Sequence, residues 1–419
     1  MEAKDFCQLI EERKGELFEL LSSLIKINSE SFGTHGNEAR CAEYIYNMCN
    51  DLGFECDMYS PLELEGFSKH YDYLEGRNLE NRYNTVARYK GQEDIDEVMI
   101  MSHTDTVRIG DLANWNKDPL SGEISDGKVY GRGASDDKYG LAAAIFIMKL
   151  LKEQGFIPKR NLLFAAYSDE EYGGSHGAMA SVMKYPCNRI VSMDCAEDQI
   201  WHCGSGGGEV KYFFHVDGPV DSAQKAAMAI PVVIECMEKF AKNRYDELEN
   251  NRFYKGTIIP STSVRYMGVK AGDNGMDLGN GEVYFVFYTD KTKEEIFAEF
   301  DELHKEIAEK LLPMGIIGDG FEMQTRFFHY VWCEPDSEDV LLMQQSAKEV
   351  TGKEPNICGS CLSDLSVISK YGNNKAFAYG MGRDFQKEGG AHQPNEFIEC
   401  DRVVEFTKTI ATYILKVLG

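Results

Sequence analysis

The stretch YSDEEYGG (167–174) follows an apolar run at 161–166, so a strand-like segment ends in three adjacent acids, Asp169, Glu170 and Glu171. Carboxylates at such quarters repel one another and are costly to bury unless something positive meets them. Other chemistry-bearing residues fall at comparable places. His103 and Asp105 stand where the apolar run 98–102 ends. Residues i and i+2 of an extended segment point the same way, so Asp105 can orient the imidazole of His103, a common support for a metal-bound histidine. Asp136 and Asp137 close the stretch Gly131-Arg132-Gly133-Ala134-Ser135, Asp194 closes the run 189–194, and His392 sits in Ala391-His392-Gln393-Pro394-Asn395-Glu396. Taken singly, each has a plainer reading as helix-capping acid, solvated turn or surface histidine. Taken together they form a basin of negative charge whose counter-charge two divalent cations would supply. Two histidines and three carboxylates, one of them bridging, suit a pair of zinc ions that each keep an open or water-filled position.

The elements that must position these residues are legible from periodicity. Helical spacing marks 5–26, and a second strong helix spans 139–154 with Gly155 as its stop. Apolar strand-like runs at 98–102, 161–168 and 189–194 alternate with helix, as in a doubly wound α/β sheet. Ligands of such sheets sit at the carboxyl ends of the strands, where the unusual residues fall. The texture changes at Gly204-Ser205-Gly206-Gly207-Gly208, read as a flexible hinge because no Lys-Ser/Thr follows to make a phosphate loop. Strands at 209–217 and 283–288, a helix at 222–243 with a kink expected at Pro231, and a helix at 293–312 opened by a Thr292–Glu295 capping box describe a small α+β domain. A further helix at 337–351 follows Pro335. The expected organisation is a mixed-sheet α/β catalytic domain over 1–205 and 331–419, interrupted by an α+β domain over 206–330.

Composition bounds the partners. The 419 residues carry 69 Asp and Glu against 44 Lys and Arg, a net charge of −25. That balance argues against nucleic acid or an anionic membrane surface as partner. No stretch approaches the apolar length of a membrane span, and the N-terminal residues are charged and amphipathic. The 12 cysteines show no disulfide framework, with Cys358 and Cys361 the only CxxC pair. A reducing cytoplasm is the expected location.

As a set, His103-x-Asp105, Gly131-Arg132-Gly133 with Asp136 and Lys138, Asp169-Glu170-Glu171, and Ala391-His392-x-x-Asn395-Glu396 resemble a family of zinc aminoacyl hydrolases. That family includes acetylornithine deacetylase, succinyl-diaminopimelate desuccinylase, carboxypeptidase G, aminoacylase and carnosinase-like dipeptidases. Supporting text at Trp115, Pro119, 126–130, Ser363-Asp364 and Gly380 looks alike too. The resemblance implies His103 and Asp194 on one zinc, Glu171 and His392 on the other, and Asp136 bridging, with Co2+ or Mn2+ as substitutes. It implies Glu170 as general base, Asp105 behind His103, and a lid or dimerisation role for 206–330 that would make the chain a homodimer. The expected substrate is an N-acyl amino acid or a short peptide; dipeptidase or carboxypeptidase action is the alternative, and a metal-containing binding protein without turnover is a third.

The resemblance thins at three places. A lid histidine of the relatives has no counterpart in Asp217-Gly218-Pro219-Val220-Asp221-Ser222-Ala223, where Asp221 takes its position, and a lid arginine is replaced in Phe287-Tyr288-Thr289-Asp290. Asp136 is followed by Asp137, which leans toward the dipeptidase-like branch. Arg383 is a candidate for the lost cation, against the plainer reading of a surface arginine. Asp169 is expected to hydrogen-bond within its own loop.

Overall fold

The computed structural model describes residues 2–216, 221–272 and 279–419. Contacts divide it into two compact units: one of residues up to Cys203, Trp332–Cys358 and Val367–Gly419, the other of Gly204–Val331 and Gly359–Ser366. The last stretch falls inside 331–419, which sequence reading gives wholly to the first unit. The expectation at Asp217–Val220 lies outside the described residues.

The first unit is built on a mixed sheet. Among the described residues that sheet has nine strands, and six of them run, in spatial order, Glu55–Tyr59, Asn84–Tyr89, Arg160–Tyr167, Glu93–His103, Arg189–Ser192 and Phe377–Tyr379. The last four are mutually parallel, and the first two pair antiparallel at one edge. The inner strands read as unbroken apolar runs because both faces are covered. Residues 98–101 and 162–167 are buried throughout. The helix Lys138–Glu153 is buried on nearly every side and packs against Lys14–Ile25, Glu93–His103 and Cys400–Leu418. Gly155, at φ +66°, follows it as the expected stop.

Register decides what these strands deliver. His103 pairs with Tyr167, and Met101 with Ser192. Two parallel strands therefore end level and the third two residues short of them, and the loops that follow emerge side by side. This is the doubly wound α/β arrangement, with its ligand edge at the carboxyl ends.

Two expectations need correction. The N-terminal periodicity forms two helices, Ala3–Glu12 and Lys14–Ile25, rather than one over 5–26. Arg13 leaves helical geometry (φ −108°, ψ 13°) two residues before Gly15, whose helix preference is poor, and its Nε binds Glu16 at 2.6 Å. Of the Gly204–Gly208 stretch read as a flexible hinge, Gly206–Gly208 is strand. It lies in the strand Gly206–Val216 and pairs with Phe287–Thr289. Gly207 takes φ +122°, and a Cβ there would lie 2.0 Å from the carbonyl oxygen of Phe287. The glycines serve close strand approach, not flexibility.

The second unit is a four-stranded antiparallel sheet in the order Val264–Ala271, Asn280–Thr289, Gly206–Val216, Ile316–Met323. The helices Ser222–Asn250 and Lys293–Leu311 cover it. Pro231 lies within the first of them, and the Thr292–Glu295 capping box opens the second.

Candidate metal centre

All seven residues singled out for chemistry belong to the first unit. Two groups of donor atoms form, His103 with Asp136 and Asp194, and Asp136 with Glu171 and His392. Within each group the atoms lie no more than 4.8 Å apart. Asp136 is common to both. Its Oδ1 lies 2.8 Å from His103 Nε2 and its Oδ2 lies 3.0 Å from His392 Nε2. Glu171 Oε2 is 3.2 Å from the same His392 nitrogen.

Each donor is held by a different device. His103 ends its strand with Nδ1 2.9 Å from the main-chain carbonyl of Asp105. A carbonyl only accepts, so Nδ1 carries the hydrogen and Nε2 is left to face the site. The Asp105 carboxylate is farther from the ring, at 3.7 Å. The expected orientation of His103 by Asp105 thus comes from its backbone, and its side chain does something else. Oδ1 accepts the Glu170 N–H at 3.1 Å and Oδ2 accepts the Glu171 N–H at 3.0 Å.

The Asp169–Glu171 loop emerges beside His103 because Tyr167 pairs with it. Glu171 is buried, and its Oε1 accepts the Val107 N–H at 2.9 Å, while Glu170 is half-buried. Asp169, Tyr172 and Ser175 all take positive φ without being glycine. Such backbone is held only where surroundings over-determine it, and it gathers at functional loops. His392 also has positive φ, as does Asn395, whose side chain accepts the Asn116 N–H at 2.6 Å and donates to the Asn114 carbonyl at 3.2 Å. Glu396 ties this loop to the Asp136 loop by pairing with Arg132 at 2.6 Å and accepting the Ser135 N–H at 2.8 Å.

The electrostatics are those of crowded acids. Burial and the charge of Asp136 push Asp194 up to about 7. The charge of Glu171, opposed by burial and assisted by Asp136, pushes His392 up to about 12. Burial works to lower His103, yet Asp136, Glu170 and Asp105 raise it well above the ordinary histidine value. Burial would raise Asp136, and the two imidazoles outweigh it and lower it. The Asp194 carboxylate accepts no hydrogen bond among the described residues. Two imidazoles and three carboxylates with an unserved carboxylate among them match the donor chemistry of divalent metal ions.

Sequence reasoning missed what stands behind the acidic loop. Asp169 does not satisfy its carboxylate within the loop. Its Oδ1 lies 2.6 Å from Arg82 Nη1 and 3.4 Å from Arg77 Nη1, and its Oδ2 lies 2.5 Å from His176 Nδ1. Arg82 is wholly buried and also bonds Glu38, with Nε donating at 2.7 Å. Two arginines just before the strand Asn84–Tyr89 were the available signal, and nothing in their spacing pointed to an acid 87 positions on. Arg383 is engaged elsewhere, paired with Glu399 at 2.9 Å and stacked on Phe397, so it does not replace the missing lid cation.

The sequence pattern of Peptidase family M20/M25/M40 matches residues 99–416. A protein of Methanocaldococcus jannaschii described as an uncharacterized metallohydrolase is 32% identical, over 94% of this chain and 97% of its own. A metallohydrolase of Methanococcus maripaludis is 35% identical over 43% of this chain, a match that spans only 42% of the relative. The structure of the di-peptidase Dug1p of Saccharomyces cerevisiae superposes with a TM-score of 0.74 at 16% identity, covering 98% of both chains.

Proposed function

The chain belongs to Peptidase family M20/M25/M40 and is a metal-dependent hydrolase of amide or peptide bonds, and from that premise we propose a dinuclear zinc amidohydrolase that cleaves the amide of an N-acyl amino acid or short peptide. The observation that carries this reading is the Asp136 carboxylate, whose two oxygens face two separate donor groups. In this assignment His103 and Asp194 hold one ion, Glu171 and His392 the other, and Asp136 both, with Co2+ or Mn2+ able to substitute. Ions held there supply a water of near-neutral pKa and polarise the scissile carbonyl. Glu170 is the base that takes a proton from the attacking water and returns it to the leaving amine. Asp105 fixes the backbone of Glu170 and Glu171 together, which lets adjacent side chains take different work. Glu171 is buried against Val107, and Glu170 keeps its access to solvent and substrate.

Both substrate classes carry a free carboxylate, and Arg108 is the proposed group that meets it. It is exposed, lies over the Phe32 ring at 5.3 Å, and has no ion-pair partner among the described residues. Its own N–H lies 3.5 Å from the Tyr172 hydroxyl, next to Glu171. A second copy of the chain is the proposed partner of the edge strand Val264–Ala271, and free cysteines throughout suit a cytoplasmic location.

Metal analysis of replete protein tests the centre, with about two ions per chain expected for such a site and fewer than about one sinking the reading. Glu170→Gln is expected to keep both ions and lose turnover by about 10²–10⁴-fold. Glu171→Gln is expected to lose one ion. If the two variants behave alike, the division of roles is wrong. Assays of N-acyl amino acids beside dipeptides separate deacylase from dipeptidase.

A further inference from the structure

Behind the acidic loop lies a cluster of ionisable groups, none of them a proposed metal ligand, whose Asp105 Oδ1 lies 3.7 Å from His103 Nδ1. Arg82, Glu38, Asp105, Asp169 and His176 are all fully buried, and Arg77 nearly so. Arg82 stands at its centre. Nε donates to Glu38 Oε1 at 2.7 Å and Nη2 to Ser31 Oγ at 3.1 Å, Nη1 lies 2.6 Å from Asp169 Oδ1, and Nη2 lies 3.8 Å from Asp105 Oδ2. His176 accepts the Leu74 N–H on Nε2 at 3.2 Å, so its hydrogen is on Nδ1, toward Asp169, and the ring is neutral. Burial pushes Glu38 up to about 8, and its Oε2 has no hydrogen-bond partner, as suits a neutral acid. Two arginines then balance two aspartates in a medium where an uncompensated charge is expensive.

We infer that Arg82 is a positioning residue that, through Asp105 and Asp169, fixes the main chain of Glu170 and Glu171 and so sets the Glu171–His392–Asp136 half of the centre rather than the Asp194 half. The path is short. Asp105 holds the two amide N–H groups with its two oxygens, so it must stay in place, and Arg82 Nη2 lies 3.8 Å from that carboxylate. Asp169 immediately precedes those amides and is anchored directly by Arg82. Without the guanidinium, Asp169 loses its 2.6 Å contact and Asp105 its 3.8 Å contact to Arg82, and the loop is freed at one of its two pins. Asp194 is reached by another route: the Tyr139 hydroxyl donates to the Met193 carbonyl at 2.9 Å, and the strand 189–192 carries it into place.

The affinity part of the test rests on the two-ion reading above; the exchange part does not. In the full chain, Arg82→Met is expected to speed amide hydrogen exchange at 169–173 while 190–194 exchanges as before. Calorimetric Co2+ titration is expected to show one site weakened about 10–100-fold and the other unchanged. In a Glu171→Gln background, which lacks the weakened site, Arg82→Met should add nothing to the remaining affinity. Arg82→Lys, which keeps charge and loses the fork, should recover part of both effects. Unchanged exchange at 169–173, or acceleration spread equally to 190–194, overturns the inference. If Arg82→Met does not fold, Asp105→Asn is read the same way, since it removes one of the two acceptors without altering volume. Wild-type protein binding fewer than two ions defeats the two-ion reading alone, and the exchange pattern then decides the role of Arg82.

Discussion

Neighbouring residues of one sort carry out unlike work here because their surroundings differ. Asp169, Glu170 and Glu171 are consecutive acids, yet one is bound by arginine, one is half-exposed and one is buried with a main-chain donor. The same logic makes Glu38 a pH-dependent element of stability. Its folded-state pKa of about 8 stands above the ordinary 4.5, so the folded state holds the proton more tightly. That stability is complete below about 4.5 and is lost as pH rises through about 8. Glu38→Gln cannot ionise, and its melting temperature relative to wild type is expected to climb between about pH 5 and pH 9. A constant difference would contradict the neutral-acid assignment. Arg108 gives a second test at this scale. Arg108→Gln is expected to raise KM about tenfold for a substrate with a free carboxylate, the worth of one charge-assisted hydrogen bond, and to leave the carboxamide analogue unaffected. Equal effects on both would remove Arg108 from substrate binding.

Elements impose constraints that no single side chain does. The strand Gly206–Val216 is one of the two inner strands of its sheet, and a Cβ on Gly207 would lie 2.0 Å from the neighbouring backbone. Gly207→Ala is expected to cost more than about 2 kcal/mol in denaturant unfolding, since the clash is with main chain and φ is positive. Loss of less than that would mean the strand can slide. At the edge of the same sheet, Val264–Ala271 presents Tyr266, Met267 and Val269, each at least 41% exposed. An apolar edge of this length is a pairing surface unless blocked. Val269→Lys is expected to turn a dimer into a monomer by light scattering, and an unaltered mass would place any dimer contact elsewhere.

For the whole molecule, the centre couples metal to stability. Three carboxylates and two imidazoles are gathered from a strand end and four loops, and burial and the charge of Asp136 raise Asp194. Chelation is expected to lower the melting temperature of the first unit by several degrees, at about 2–4 °C per kcal/mol of lost binding energy, and Zn2+ to restore it. An unchanged transition would mean that the loops are held by the protein alone. Among the described residues no helix is long and apolar enough to cross a membrane.

The sequence by itself determined the strand ends that carry the proposed donors and the alternation of strand and helix, because residue type and period are local properties. The acids and histidines at strand ends were legible as a set, the family was legible from them, and the resemblance singled out His103, Asp136, Glu171, Asp194 and His392 as the proposed donors. The YSDEEYGG turn posed a question of charge that local reading answered only in part, with a metal proposed at Glu171. Tertiary structure supplied the rest. The register of His103 against Tyr167 sets the loops side by side, and Arg82, buried far from the loop in sequence, meets Asp169. It also showed that Asp105 serves the Glu170 and Glu171 amides and that the Gly206–Gly208 run is strand. These are facts of which distant groups come within 3 Å of one another, and only the folded backbone decides that.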